Sequence, residues 1–240
     1  MIIHRFPKER LAFETAKKIS AILEQEQEKD VLLLLAGGSA FEVYDSILPR
    51  YLSSRLTIAM TDDRFSQEMD INNSHILQAT DFYNECINSD AFFISTEVWG
   101  EEKLEELAAR FEKGLRKWHE EFPDGLIIAV FGMGEDGHTC GIIPEAGKNA
   151  DEKSFKERFD DPKKWTVGYV TPQNEFHERV SITFPFIRQF VDHAVAYISG
   201  EKKRAAFDQL LSEKGSLAQT PVRILRELKD VDVFTDMAEK

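Results

Sequence analysis

The chain has 240 residues, 42% hydrophobic and 30% charged, a balance ordinary for a folded globular protein and unlike a disordered or collagen-like one. Its 43 acidic residues against 30 basic ones leave a net charge of −13, which argues against nucleic acid or an anionic membrane as partner, since both need a basic face. No apolar run approaches the roughly 18 residues of a membrane helix, and the start, Met1-Ile2-Ile3-His4-Arg5-Phe6-Pro7, lacks the apolar core of a secretory signal, so a cytoplasmic protein is expected.

In chain order, Glu9 to Lys29 carries Leu11, Ala16, Ile19 and Leu23 on one face and predicts a helix. Val31 to Ala36 is an all-apolar run, the pattern of a strand buried on both faces. It stops at Gly37-Gly38-Ser39, and Ala40 to Leu48 reads as the next helix. Leu56 to Met60 is a second strand, ending in Thr61-Asp62-Asp63-Arg64, and a helix from about Asn73 to Ile87 precedes a third strand at Ala91 to Ile94. Glu101 to Phe122 is the clearest helix, with Leu104, Leu107, Phe111, Leu115, Trp118 and Phe122 three or four apart. Leu126 to Phe131 is a fourth buried strand, running into Gly132-Met133-Gly134-Glu135-Asp136-Gly137-His138. Residues 145 to 165 lack either periodicity and read as a long exposed excursion. Strands follow at Trp165 to Val170, Val180 to Thr183 and Ala194 to Ser199, then helices near Lys203 to Leu211 and Val222 to Leu228. The two cysteines, Cys86 and Cys140, have no metal spacing and read as reduced thiols.

Strands alternating with helices imply βαβ units: an α/β chain, Rossmann-like, three layers α/β/α, with a mostly parallel sheet in one domain over residues 1 to 240. Ligands in such sheets bind beyond the carboxyl ends of the strands. That rule selects Gly37 to Ala40, Thr61 to Phe65, Gly132 to Gly141 and Gly200 to Lys203, each directly after a predicted strand.

Gly37-Gly38-Ser39 reads either as an anion site at a helix start or as a tight turn with a serine cap. Asp62-Asp63-Arg64 sets two repelling carboxylates beside a guanidinium, so one carboxylate is expected to shift its pKa or be held by Arg64; a solvated charged turn is the plainer alternative. Gly132 to Gly137 matches G-x-G-x-x-G, yet Pro144 interrupts the long helix a dinucleotide fingerprint needs, and Asp136 sets a negative charge where a pyrophosphate would lie. What remains is a glycine-rich loop presenting Asp136 and His138: a lone loop histidine is commonly structural or simply exposed, but the glycine-rich context and the carboxylate neighbour favour an imidazole poised as a general base. Arg179 and the run Lys202-Lys203-Arg204 read either as surface charges or, together with Ser39, as the cations that hold a phosphate.

The four segments, in this order, resemble the 6-phosphogluconolactonase family and its relative, glucosamine-6-phosphate deaminase/isomerase. Gly132 to Pro144 is similar to the lactonase pattern G-M-G-x-D-G-H-T-A-S-L-F-P. Gly37-Gly38-Ser39 matches the start of G-G-S-T-P, Asp62 to Phe65 resembles D-E-R-F, Arg179 to Thr183 R-x-T-L-T, and Ser199 to Lys203 T-G-x-x-K. Departures are Ala40-Phe41 for Thr-Pro, Cys140-Gly141 for Ala-Ser, and Asn72 to His75 against Ser-Asn-Tyr.

The resemblance implies hydrolysis of 6-phospho-D-glucono-1,5-lactone to 6-phosphogluconate, a step of the pentose phosphate pathway. It implies that His138 activates water, Asp136 orients it, Arg64 offsets transition-state charge and Asp62 steadies the base or the sugar hydroxyls. Gly37, Gly38, Ser39, Arg179 and Lys203 would hold the substrate phosphate. No cofactor and no metal is expected; the partner is a small sugar phosphate, and the chain a monomer or small homo-oligomer. In the deaminases a glutamate precedes the proline and joins ring opening; here Ile143 stands before Pro144 and cannot transfer a proton. A non-catalytic sugar-phosphate sensor on the same fold is the alternative of a different class.

Overall fold

The computed structural model describes residues 1–145, 151–172 and 175–239. Strand β1 (Ile2–Arg5) and helix α1 (Lys8–Gln25) lead to β2 (Val31–Leu35), a 3₁₀ turn at Gly38–Ala40, the short α2 (Phe41–Tyr44) and β3 (Leu56–Met60). Then come β4 (Asp62–Arg64), α3 (Asn73–Gln78), α4 (Asp81–Asn88), β5 (Phe92–Ile94), α5 (Leu104–Glu121) and β6 (Leu126–Gly132). The chain continues through α6 (Glu152–Phe159), β7 (Thr166–Val170), β8 (Glu178–Ile182), α7 (Phe184–Phe190), β9 (His193–Ile198), α8 (Arg204–Leu211) and β10 (Val231–Thr235).

Seven strands form one parallel sheet in the order β1-β10-β9-β6-β2-β3-β5. Successive side chains of a strand point to opposite faces, so the apolar runs supply two cores at once. Leu33, Leu35, Ile58, Ile128, Val130 and Val195 pack under α1, α2 and α4. Leu32, Leu34, Ala59, Ala129, Phe131 and Ala196 pack against α5, α6, α7 and α8. This is the three-layer α/β/α arrangement expected from the alternation of strand and helix.

Several expectations are corrected. β7 and β8 do not join the large sheet; they pair antiparallel with each other, and β8 pairs antiparallel with β4, in a separate sheet of order β4-β8-β7. β7 lies across α5 instead, so close that a methyl at Gly168 would stand 2.9 Å from Leu104 Cγ. The helix expected from Asn73 to Ile87 is two, because the Thr80 hydroxyl accepts from Tyr83 N–H (3.2 Å) and restarts the chain as α4. Ala40 to Leu48 yields only a 3₁₀ turn and the four-residue α2, and Val222 to Leu228 is a 3₁₀ segment, Pro221–Glu227. The excursion over 145 to 165 is not simply exposed: α6 buries Phe155 and Phe159, its start capped by Asp151. Residues 146–150 lie outside the described residues.

Strands β9, β6, β2 and β3 are consecutive neighbours, and the four segments singled out in the sequence follow them directly. From β2 the chain moves outward to β3 and β5, then returns to β6 on the other side of β2. The loops after β2 and β6 therefore diverge at a switch point, which opens a crevice at the strand ends. No helix among the described residues is long and apolar enough to cross a membrane.

Candidate active site

A cleft of about 320 Å³ opens at that switch point. Gly37, Gly38, Ser39, Asp62, Arg64, His138, Arg179 and Lys203 all line it. Asp136 stands behind His138 rather than on the wall. A larger groove of about 710 Å³ runs between Glu112 of α5 and Lys164 before β7, but neither a histidine nor a cysteine lines it.

The loop after β6 is built to hold one imidazole. His138 Nδ1 lies 2.6 Å from Asp136 Oδ1, and the same oxygen accepts from His138 N–H at 3.1 Å. With Nδ1–H donated to the carboxylate, Nε2 is left as the acceptor toward the cleft. Burial works to raise the Asp136 carboxyl, but the hydrogen bonds and charge of His138 outweigh it and hold the pKa below the ordinary carboxylate range. The ring lies over Gly134, where a methyl group would overlap it, so only glycine leaves room. Thr139 Oγ1 donates to Gly132 O (2.7 Å), and Val222 N–H donates to Gly137 O (3.0 Å), fixing both ends of the loop. Cys140 and Gly141 then take left-handed φ angles of +49° and +68°. A side chain at Gly141 would strike Asp62, its Cβ only 2.6 Å from Oδ2. Glycine at 141 thus leaves the space that the Asp62 carboxylate occupies on the cleft wall.

The antiparallel register of β4 with β8 sets Arg64 opposite Arg179 and Asp62 opposite Ser181. Like charges across a ladder repel, and Asp62 is the counter-charge, with Arg179 Nη1 3.8 Å from Oδ2 and the Thr61 hydroxyl donating to Oδ1 at 3.0 Å. Arg64 donates from Nη1 to Ile71 O (3.0 Å), and its guanidinium lies 4.6 Å from the centre of the Phe176 ring. Burial lowers the pKa of Arg64, Asp62 opposes that shift and Arg179 adds to it. Two guanidiniums and one carboxylate leave a net positive wall, suited to an anion.

The carboxylate expected to shift among the adjacent pair is Asp63, and it points away from the cleft. It accepts from the backbone N–H of Arg64 (2.8 Å), Asn73 (2.5 Å) and Ser74 (3.0 Å) and from the Thr96 hydroxyl (2.6 Å). Burial pushes its pKa up to about 7, opposed by these hydrogen bonds. Asn73, left aside in the sequence, stands on the cleft wall: its amide donates to Asp62 O (3.1 Å) and lies flat on Gly37, where a Cβ would come within 2.6 Å of Oδ1. The signal available was an asparagine at the entry to a helix after Asp62-Asp63-Arg64.

At the other end of the cleft, Gly200 (φ +103°) turns the chain out of β9 into a one-turn 3₁₀ segment that ends at Lys203. Burial lowers the pKa of Lys203 against the raising influence of Asp236, Glu135 and Glu42. Ser39 is exposed at the rim, following Gly38 at φ +66°. Ile143, the residue before Pro144, is buried with its N–H on the Tyr169 hydroxyl (3.3 Å) and does not line the cleft.

Comparison with known proteins extends this picture. The model of the family "Glucosamine-6-phosphate isomerases/6-phosphogluconolactonase" matches residues 7–234. The chain is 28% identical over 190 residues to a 6-phosphogluconolactonase of Chlamydia trachomatis, covering 76% of this chain and 65% of the relative. It is 32% identical over 121 residues to one of Neisseria meningitidis, covering 50% of this chain and 47% of the relative. It therefore spans about half to under two-thirds of the length of these curated relatives. The crystal structure of a 6-phosphogluconolactonase from Shewanella baltica superposes with a TM-score of 0.74 at 20% identity, over 98% of this chain and 96% of that one, which shows the shared fold. A match running from the first helix to the last strand, over a cleft assembled from the four expected segments, makes this chain a member of the glucosamine-6-phosphate isomerase/6-phosphogluconolactonase family.

Proposed function

We propose that the protein hydrolyses 6-phospho-D-glucono-1,5-lactone to 6-phosphogluconate, as in the pentose phosphate pathway. The observation that carries the reading is the imidazole of His138, oriented by Asp136, in a cleft that also holds Arg64, Arg179 and Lys203. In this mechanism Nε2 takes a proton from water as the oxygen attacks the lactone carbonyl. Arg64 stabilises the oxyanion of the tetrahedral intermediate. Collapse breaks the bond between C1 and the ring oxygen, and His138 returns its proton to that oxygen. The ring opens with no fragment lost, and the new carboxylic acid ionises in water.

Lys203, Arg179 and the Gly37-Gly38-Ser39 turn hold the phosphate by charge-assisted hydrogen bonds. Asp62, on the same wall, accepts from a sugar hydroxyl. Ile143 leaves the position before Pro144 without a proton-transfer group, which favours lactone opening over aldose–ketose isomerisation with release of ammonia.

The test is opening of freshly generated 6-phosphogluconolactone by wild type and His138→Ala, with the spontaneous hydrolysis subtracted. Acceleration by wild type alone supports the reaction and the base. Equal acceleration by both variants would overturn the role of His138. Binding of 6-phosphogluconate with no turnover by wild type would point to a sensor, and ammonia from glucosamine 6-phosphate to the isomerase branch.

A further inference from the structure

The turn that carries Lys203 is clamped from outside the cleft by the segment after β10. Asp236 accepts from Gly200 N–H on Oδ1 (2.9 Å) and from the Ser199 hydroxyl on Oδ2 (3.0 Å). Lys203 N–H in turn donates to Gly200 O at 3.0 Å, closing the turn on itself. Beyond Lys203, Arg204 donates from Nη1 to Ala238 O (2.8 Å) and pairs with Glu201 (2.9 Å), so the same tail grips both ends of the turn.

Gly200 needs this grip. At φ +103° it sits in a conformation open to glycine alone, and glycine is the residue with the most backbone freedom to lose. A lysine ammonium is a point charge on a flexible stem, so its location is set by the backbone that bears it. Among the carboxylates acting on Lys203, Asp236 has the strongest influence, ahead of Glu135 and Glu42.

We propose that Asp236 is a positioning residue for the phosphate subsite: by fixing Ser199 and Gly200 it sets Lys203 at the cleft wall. The proposal rests on the reading of Lys203 as a phosphate ligand. Asp236 touches no substrate; it acts through the turn, and its loss weakens binding more than chemistry.

The experiment compares Lys203→Met, Asp236→Ala, Asp236→Asn and Ser199→Ala in the full chain. It reads KM and kcat for 6-phosphogluconolactone and the inhibition constant of inorganic phosphate. Lys203→Met raises KM at least tenfold, about the loss of one charge-assisted contact. Asp236→Ala, which removes both hydrogen bonds, raises both KM and the phosphate constant about fivefold, with kcat changed less than about twofold. Asp236→Asn returns both to within about twofold of wild type, because its amide offers an oxygen to Gly200 N–H and an N–H to the Ser199 hydroxyl. Ser199→Ala, which removes one of the two contacts and leaves Gly200 held, raises KM about twofold.

If Lys203→Met raises KM while Asp236→Ala leaves it at the wild-type value, the positioning role is overturned and the phosphate reading stands. If Lys203→Met changes nothing, the phosphate reading itself fails. A fall in kcat for Asp236→Ala that Asp236→Asn does not restore, with KM constant, also overturns the proposal.

Discussion

His138→Ala removes the proposed base from a partly exposed position, so turnover falls by about 10²- to 10⁴-fold while stability falls by no more than about 1 kcal/mol, the scale of its half-exposed pair with Asp136. Steady-state lactone opening and urea denaturation of the same preparation check both halves. Asp136→Asn keeps an oxygen for the backbone N–H of His138 but loses the charge that fixes the ring, and turnover falls roughly 10- to 100-fold. The folded carboxyl of Asp136 titrates below its unfolded value. Its contribution to stability is therefore present above about pH 4 and is lost as pH falls through the lowered folded value. The stability advantage of wild type over Asp136→Asn accordingly shrinks on acidification, which denaturation midpoints across that range measure. The Asp136 and His138 pair was legible in the sequence because two residues of spacing in a glycine-rich loop bring the side chains together locally. Asn73 was not: its place against Gly37 arises from two chain segments that meet only in the fold.

Among the elements, β4 with its following turn shows how a three-residue strand can be rigid. Asp63 ties together the N–H groups of Arg64, Asn73 and Ser74 and the hydroxyl of Thr96, so one buried side chain joins β4, the start of α3 and the segment after β5. With a folded pKa raised to about 7, the folded state binds more protons than the unfolded one between about pH 4 and that value. The stabilisation from protonated Asp63 is complete below about pH 4 and is lost as pH rises through about 7. Wild type therefore loses stability relative to Asp63→Asn across that window, the reverse of the Asp136 pair, and parallel urea titrations of the two proteins measure the difference. Thr80→Ala, which removes the cap of α4, costs about 1 kcal/mol and is read in the same way. The long apolar stripe of α5 and the runs of β2, β3 and β6 could be read from periodicity. The break between α3 and α4 could not, because a threonine cap inside a continuous apolar pattern looks like any other helical position. Residues 145 to 165 misled for a related reason: the two aromatics of α6 that reach the core, Phe155 and Phe159, are outnumbered by charges facing water.

For the molecule entire, the net charge of −13 surrounds a cleft whose own wall is cationic. Salt screens the distant carboxylates before it screens contacts of a few ångströms, so raising ionic strength from about 10 to 150 mM increases kcat/KM for the anionic lactone, by roughly twofold. A steep fall over that range would show that long-range attraction, rather than the local pocket, brings the substrate in. The parallel α/β/α plan and the four loops at the strand ends were legible, because buried parallel strands are nearly pure apolar runs. Strands β1 and β10 were not: β1 is only four residues long, and β10 carries Asp232 among its apolar residues. That acid is buried with its charge met by Lys18 Nζ (2.8 Å) and His4 Nε2 (2.5 Å). The insertion of β10 between β1 and β9 also sets an order of events during synthesis. Strand β1 has no neighbour in the sheet until β10 has been made, since His4 must wait for a partner 228 residues downstream. Until then β9 presents a bare edge and Ile2–Arg5 an unpaired ribbon, the kind of exposed backbone that invites association between nascent chains.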